Sequence, residues 1–276
     1  MDLRKFISSF LSFCLVTASW CQSDTSLKVS LPATIATNVT DFTTDNLGNI
    51  FIVTPSNQIK KLSAKGDSIG VYNDVKRYGR IAFIDATNPL KLLVYYTDFS
   101  TIVVLDRFLN KRNTIDLRRL NMMQVKAITS SYDNNYWVYD ELDNKLRKID
   151  DNGNIMVESA DLRQALSFAP QPVVMYDREG QLYMYDPAQG MFVFDYYGAK
   201  KNLWSLLHLS DVQVLDKNTI SGSDSAGIIL YKPSSFLLQS YHVFEDQKRF
   251  KKINFNNNKI YGLTYDGMLE VYAIIK

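Results

Sequence analysis

The sequence predicts an all-β chain folded as a six-bladed β-propeller of four-stranded antiparallel blades. Three observations carry this expectation. A strand–turn–strand unit recurs along the chain, every stop in it is built from turn-forming residues, and helical periodicity is confined to two short stretches.

The clearest unit runs from Asp45 to Asp67. A turn over Asn46–Asn49 leads into a strand at Ile50–Val53, then Pro55–Asn57 turns the chain into a second strand at Ile59–Leu62. Lys65-Gly66-Asp67 turns it again. Gly, Pro, Asn and Asp supply these stops because they tolerate turn geometry. Units matching Ile50 begin at Leu92, Tyr136, Leu182, Ile220 and Ile260, with spacings of 42, 44, 46, 38 and 40 residues. Following strands are expected at Ile102–Leu105, Leu146–Ile149, Met191–Phe194, Ile228–Tyr231 and Met268–Tyr272. A period near 42 with short strands is that of a propeller blade. Helical repeats of similar length need long runs with a 3.6-residue period. Only Asp161–Phe168, and more weakly Leu203–Leu209, read as helical, and both fall between units.

Met1–Cys21 reads as a signal peptide. Arg4 and Lys5 precede the uncharged run Phe6–Val16, which is too short to span a bilayer, and Ser19 and Cys21 suit a cleavage site. A minor alternative makes Cys21 a lipid anchor. Both cysteines lie in this segment, so cleavage after Cys21 leaves one domain, residues 22–276, with no thiol and no transmembrane segment. About 255 residues at this period make six blades. The last unit, ending at Met268–Ile274, lacks an outer strand. Ser26–Leu31 is expected to supply it, so that the N-terminal segment closes the last blade.

The phrase Asp45-x-x-Gly48-Asn49-Ile50-Phe51-Ile52-Val53, followed by Asn57-Gln58-Ile59-Lys60-Lys61-Leu62, resembles repeats of the NHL and SBBP type. Weaker echoes lie at Asp133–Asp150 and Asp177–Asp195, while units two, five and six depart from the pattern. The resemblance implies a six-bladed propeller of a bacterial cell envelope. Such proteins include binding modules, scaffolds and enzymes, so it fixes no activity.

Composition narrows the chemistry. The chain is 46% apolar and 22% charged with a formal net charge of +2, which gives no reason to expect nucleic-acid binding. With 2 His, 34 residues apart, and 2 Cys, no metal site and no cofactor are expected. No nucleophile elbow, phosphate-binding loop or dinucleotide fingerprint occurs. Asp150-Asp151-Asn152-Gly153-Asn154 reads as a hairpin turn, because its glycine is misplaced for a calcium loop. Asp140, Asp186, Asp224, Thr54 and Thr264 recur just after the aligned strand and read as turn caps. The 17 Tyr and 15 Phe cluster in units two to four, with enough surplus for an exposed aromatic patch.

Innermost strands should precede each aligned strand, at Thr37–Thr43, Arg80–Ile84, Val125–Thr129, Pro172–Tyr176, Asp211–Leu215 and Lys251–Phe255. They bring Asp41, Arg80, Lys126, Asp211 and Lys251 toward a central channel as binding candidates, with Asn38 and Asn254 as further oxygen donors. Cations are too many and carboxylates too few for a divalent-metal site, and no catalytic residue is assigned. The expected function is therefore that of an exported, non-catalytic interaction module, periplasmic or outer-membrane associated, with an envelope protein as partner. The alternative is a channel-site hydrolase or lyase, lactonase-like, or a glycan-binding propeller.

Overall fold

A computed structural model describes residues 25–275, so the signal segment and Cys21 lie outside the described residues. Twenty-four of the strands fall into six four-stranded meanders. From the channel outward, blade one is Asp41–Thr44, Ile50–Val53, Ile59–Leu62 and Ser68–Tyr72. Blades two to five start at Ile81–Asp85, Val125–Ser130, Val174–Arg178 and Ser210–Asp216. Blade six starts at Phe250–Asn256. All six aligned strands, and the strands that follow them, pair as neighbours within their blades. A short helix at Leu162–Leu166, capped by Asp161, matches one helical expectation. The other is corrected: Lys200–Trp204 is the outer strand of blade four, where Asn202 pairs with Val193 of an already buried ladder.

Each blade is sandwiched between two others, which explains the unbroken apolar runs of the middle strands. Every residue of Ile50–Val53, Tyr136–Asp140 and Gly190–Phe194 is buried, whereas Lys200–Asn202 at an outer edge is exposed. The core divides into six clusters, one per blade junction. Phe51 and Val53 meet Val94 and Tyr96, for example, and Phe42 and Ile52 meet Tyr261 and Leu263. That last cluster joins blade six to blade one, and the innermost strands touch around a closed ring.

Closure uses the N-terminal segment, but at a different place from the one expected. Ala33–Ala36 is the outer strand of blade six, antiparallel to Leu269–Ala273. Upstream, Val29 bridges Ile274, and Thr25–Ser26 pairs in parallel with Tyr241–His242 on the rim of blade five. Ser26–Leu31 thus passes from one blade edge to the next. Pro32, which has no N–H to donate, separates it from the ladder strand.

Two buried lysines pin neighbouring blades together. Lys148, 1% exposed, sits on the third strand of blade three, paired with Trp137, with its ammonium 4.8 Å from that ring. It reaches over Tyr196 in a turn of blade four at 3.5 Å and bonds Asp133 at 3.1 Å. Asp133 also accepts from Tyr196 at 2.9 Å. Burial works to raise the Asp133 carboxyl, but hydrogen bonds from Ser131, Lys148 and Tyr196 outweigh it and hold the group at about 2. Lys61 repeats the arrangement. It pairs with Phe51, lies 5.1 Å from its ring, and donates to the Arg107 carbonyl of blade two at 2.8 Å.

Two outcomes follow for stability. Truncation through Ala36 strips the outer strand from blade six; a lower unfolding midpoint and concentration-dependent association through the bared Leu269–Ala273 edge are expected, read by chemical denaturation and light scattering. Lys148→Met should cost about 3–5 kcal/mol, because the carboxylates around it lose their buried counter-ion. Asp133 is depressed in the folded state, so its stabilisation is full above 3.8 and disappears as pH falls toward about 2. In Lys148→Met the acid transition should begin at higher pH, measured by fluorescence-monitored unfolding across that range.

Candidate functional site

The innermost strands of all six blades enclose a central cavity of about 560 Å³. Its two sides differ. Blades five, six and one contribute Asp211, Gln213, Lys252, Asn254, Asn256 and Asp41 beside apolar Val212, Val214 and Ile253, while blades two, three and four contribute the aromatic Phe83 and Tyr176 with Ile84, Ile128 and Val174, and the charged Asp85 and Arg178.

Of the residues expected there, Asp41, Asp211 and Asn254 line the cavity. Arg80, Lys126 and Lys251 do not. Arg80 is exposed and 3.9 Å from Asp98; Lys126 is 3.3 Å from Glu141; Lys251 donates to the Thr40 carbonyl at 2.7 Å. Asn38 lies outside the lining with a left-handed φ of 60°. A shared backbone feature explains Lys126 and Lys251. Pairing with the second strand skips one residue near the start of three inner strands: Ala82 in blade two, Lys126 in blade three and Lys251 in blade six. Each skipped residue is exposed, and the next one faces the cavity: Phe83, Ala127 and Lys252. Such a bulge reverses which residues point inward. Strict alternation along the sequence therefore selects the wrong lysine. An unexpected lining lysine, Lys252, bonds Asp41 at 2.7 Å and the Phe42 carbonyl at 2.8 Å.

Asp211 takes a left-handed φ of 53°, which short polar side chains tolerate. Its carboxylate accepts from the Ile253 amide at 2.9 Å and the Ser223 hydroxyl at 3.2 Å. Burial pushes the group up, beyond what these bonds and Lys252 recover, and Asp41 adds to the rise. Across the cavity, Asp85 accepts from the Ser130 and Thr87 amides and the Thr129 hydroxyl. Arg178 donates to the Val214 and Asp177 carbonyls. No group of three His, Cys, Asp or Glu side chains suited to a metal ion occurs among the described residues.

The five recurrent residues after the aligned strand act as turn caps. Asp186 accepts from the Ala188 amide at 2.8 Å and Asp224 from the Ala226 amide at 2.8 Å. Thr54 and Thr264 accept from Gln58 and Met268, and Asp140 from Leu142. Asp150 closes its hairpin by accepting from the Asn152 and Asn154 amides.

A second feature lies on one end of the ring. Strands alternate in direction within a blade, so turns joining first to second and third to fourth strands share a face. That face presents Leu47, Leu90, Phe108, Tyr132, Tyr197 and Phe236, all exposed and drawn from five blades. Tyr132, Tyr196 and Tyr197 form a continuous cluster, with ring centroids 5.7 and 5.4 Å apart. Clustering of aromatics near Tyr196 was legible in the sequence, whereas Leu47, Leu90 and Phe236 sit singly in turns and gave no signal.

No protein-family model matches the chain, and no curated protein matches it either. Solved structures share the fold. A catalytically inactive virginiamycin B lyase from Staphylococcus aureus, crystallised with quinupristin, is 10% identical with a TM-score of 0.65, covering 91% of this chain and 100% of that one. The extracellular domain of the putative hybrid two-component system BT3049 from B. thetaiotaomicron is 14% identical with a TM-score of 0.56, over 86% of this chain and 33% of that one. BBS1N in complex with ARL6DN is 12% identical with a TM-score of 0.55, over 92% of this chain and 98% of that one. At these identities the likeness is one of fold.

Asp211 carries a stability prediction. A carboxyl raised in the folded state stabilises below its unfolded value and opposes folding as pH rises through its folded one. Asp211→Asn keeps an acceptor for the Ile253 amide and removes the charge. Its melting temperature should equal or exceed that of the wild type at pH 7, with the difference vanishing on acidification, as read by calorimetry.

Proposed function

We propose that this propeller is an exported, non-catalytic interaction module of a cell envelope, holding a protein partner against the face that carries Tyr132, Tyr197 and Phe236. The observation that carries the reading is this face itself. Tyr197 and Phe236 are 72% and 71% exposed, and large apolar side chains from five blades share one end of the ring. Aromatic side chains of this kind anchor protein interfaces, since they bury much area at little conformational cost. Two structural neighbours agree with it by their descriptions, one an extracellular domain and one a propeller in complex with another protein. Export rests on the signal-like Met1–Cys21, and the repeat phrases support an NHL-like or SBBP-like origin. No helix among the described residues is long and apolar enough to cross a membrane.

Affinity purification from the native envelope, paired with a Tyr197→Asp/Phe236→Asp variant, tests the reading. A stable companion should accompany the wild type and be lost from the variant while the melting temperature stays within about 2 °C, because both positions are exposed. A wild-type protein recovered alone would overturn it. Mass spectrometry of the mature N-terminus should show Gln22 free of lipid.

A second reading has one specific observation behind it. Asp211, raised by burial and beside Lys252 and Asp41, has the setting of a general acid in a channel-site hydrolase or lyase. Under that reading Asp211→Asn abolishes turnover and leaves partner recovery intact.

A further inference from the structure

We propose that the central cavity binds an uncharged saccharide, its hydroxyls held by Gln213, Asn254 and Asn256 and its C–H face laid against Phe83 and Tyr176. This site is separate from the protein-binding face and does not rest on it.

The charges come first, because they decide what the cavity refuses. Asp41 is paired with Lys252 at 2.7 Å, and Asp85 is bonded by two amides and a hydroxyl. Arg178 donates to the Val214 carbonyl through Nε and to the Asp177 carbonyl through Nη1. The lining carries both signs of charge, Lys252 and Arg178 with Asp41, Asp85 and Asp211, so a ligand of either sign meets like charge beside opposite charge. A phosphate or a polyamine is therefore disfavoured.

The amides are different. Gln213 accepts from the Phe255 amide at 2.7 Å through Oε1, and among the described residues its Nε2 has no partner. Asn254 is 6% exposed and accepts from the Thr44 hydroxyl at 3.1 Å through Oδ1, with Nδ2 likewise unspent. Asn256 donates to Thr44 Oγ1 at 2.8 Å and to the Asp45 carbonyl, which leaves Oδ1 free. Turning the Asn254 amide over would exchange which of its atoms is free and still leave one unspent, while Asn256 is fixed by its donation to the Asp45 carbonyl. Two neighbouring blades thus line one wall with unused donors and acceptors on planar groups, which suits adjacent hydroxyls that each donate and accept. A purely apolar ligand would bury these groups without partners, which disfavours it.

The opposite wall supplies the other half of the recognition. Phe83 is positioned by its packing on Tyr95, with centroids 5.0 Å apart, and Tyr176 is fixed by its bond to the Val212 carbonyl at 3.0 Å. A pyranose has a polar rim and apolar C–H faces, so amides on one side and two aromatic rings facing them match it. At about 560 Å³ the space falls within the usual range for small-molecule sites.

The test is saturation-transfer NMR and calorimetry on the full mature chain with glucose, N-acetylglucosamine, maltose and glucuronate. At least one neutral sugar should bind saturably, and glucuronate more weakly than glucose. Gln213→Glu keeps the acceptor for Phe255 and removes the free donor. It should weaken sugar binding about tenfold, the loss of one hydrogen bond to a ligand, with circular dichroism unchanged. Phe83→Ala should weaken it as well. Failure of all three neutral sugars to bind overturns the proposal, as does binding that is indifferent to Gln213→Glu in the folded protein. The Tyr197→Asp/Phe236→Asp variant should bind sugar like the wild type, so failure of the partner-binding reading leaves this result standing.

Discussion

Ring closure is the constraint on which the other features depend. Each blade has two broad apolar faces, and neither is covered unless a neighbour stands on both sides. Five blade junctions would leave two such faces in water. The sixth, where Phe42 and Ile52 of blade one meet Tyr261 and Leu263 of blade six, removes both at once. The Ala33–Ala36 strand then ties the start of the chain to its last blade. The same arrangement makes the channel, since a ring of strands encloses a cavity only when it is complete.

Within this frame, two repeat units use a charge where others use hydrocarbon. Lys61 and Lys148 occupy the same place on the third strand of blades one and three, each opposite an aromatic residue of the second strand. Each extends toward a turn of the following blade. The stem packs in the junction while the ammonium finds a carbonyl in one case and a carboxylate with aromatic rings in the other. The phrases Ile59-Lys60-Lys61-Leu62 and Leu146-Arg147-Lys148-Ile149 are two of the better-preserved pieces of the repeat, and this shared role gives a physical reason for it.

Architecture was readable because it rests on long, redundant signals. Continuous apolar runs such as Leu92–Tyr96 and turn sets such as Asp45–Asn49 each recur, so one weak copy does not obscure the pattern. Details that depend on a single residue were not readable. A bulge at Lys126 or Lys251 adds one residue to one strand and changes nothing in composition, yet it turns the side chain out of the channel and brings in its successor. The closing strand was misplaced for a similar reason. Ser26–Leu31 has the better β pattern, but Pro32 and the register of Leu269–Ala273 select the plainer Ala33–Ala36. Asp41 and Asp211 were found because each sits on an inner strand whose alternation is undisturbed at that point or whose φ is set by the acidic residue itself.

The parallel pairing of Thr25–Ser26 with Tyr241–His242 has a mechanical consequence. Thr25–Ser26 lies on the outer rim of blade five, beside the strand farthest from the channel, and not at either end of the ring. A load applied at Thr25 would act sideways on the disc, first peeling two rim residues and the Val29–Ile274 bridge before reaching the closing strand. Both ends of the channel, and the aromatic face at one of them, stay clear of that line of force.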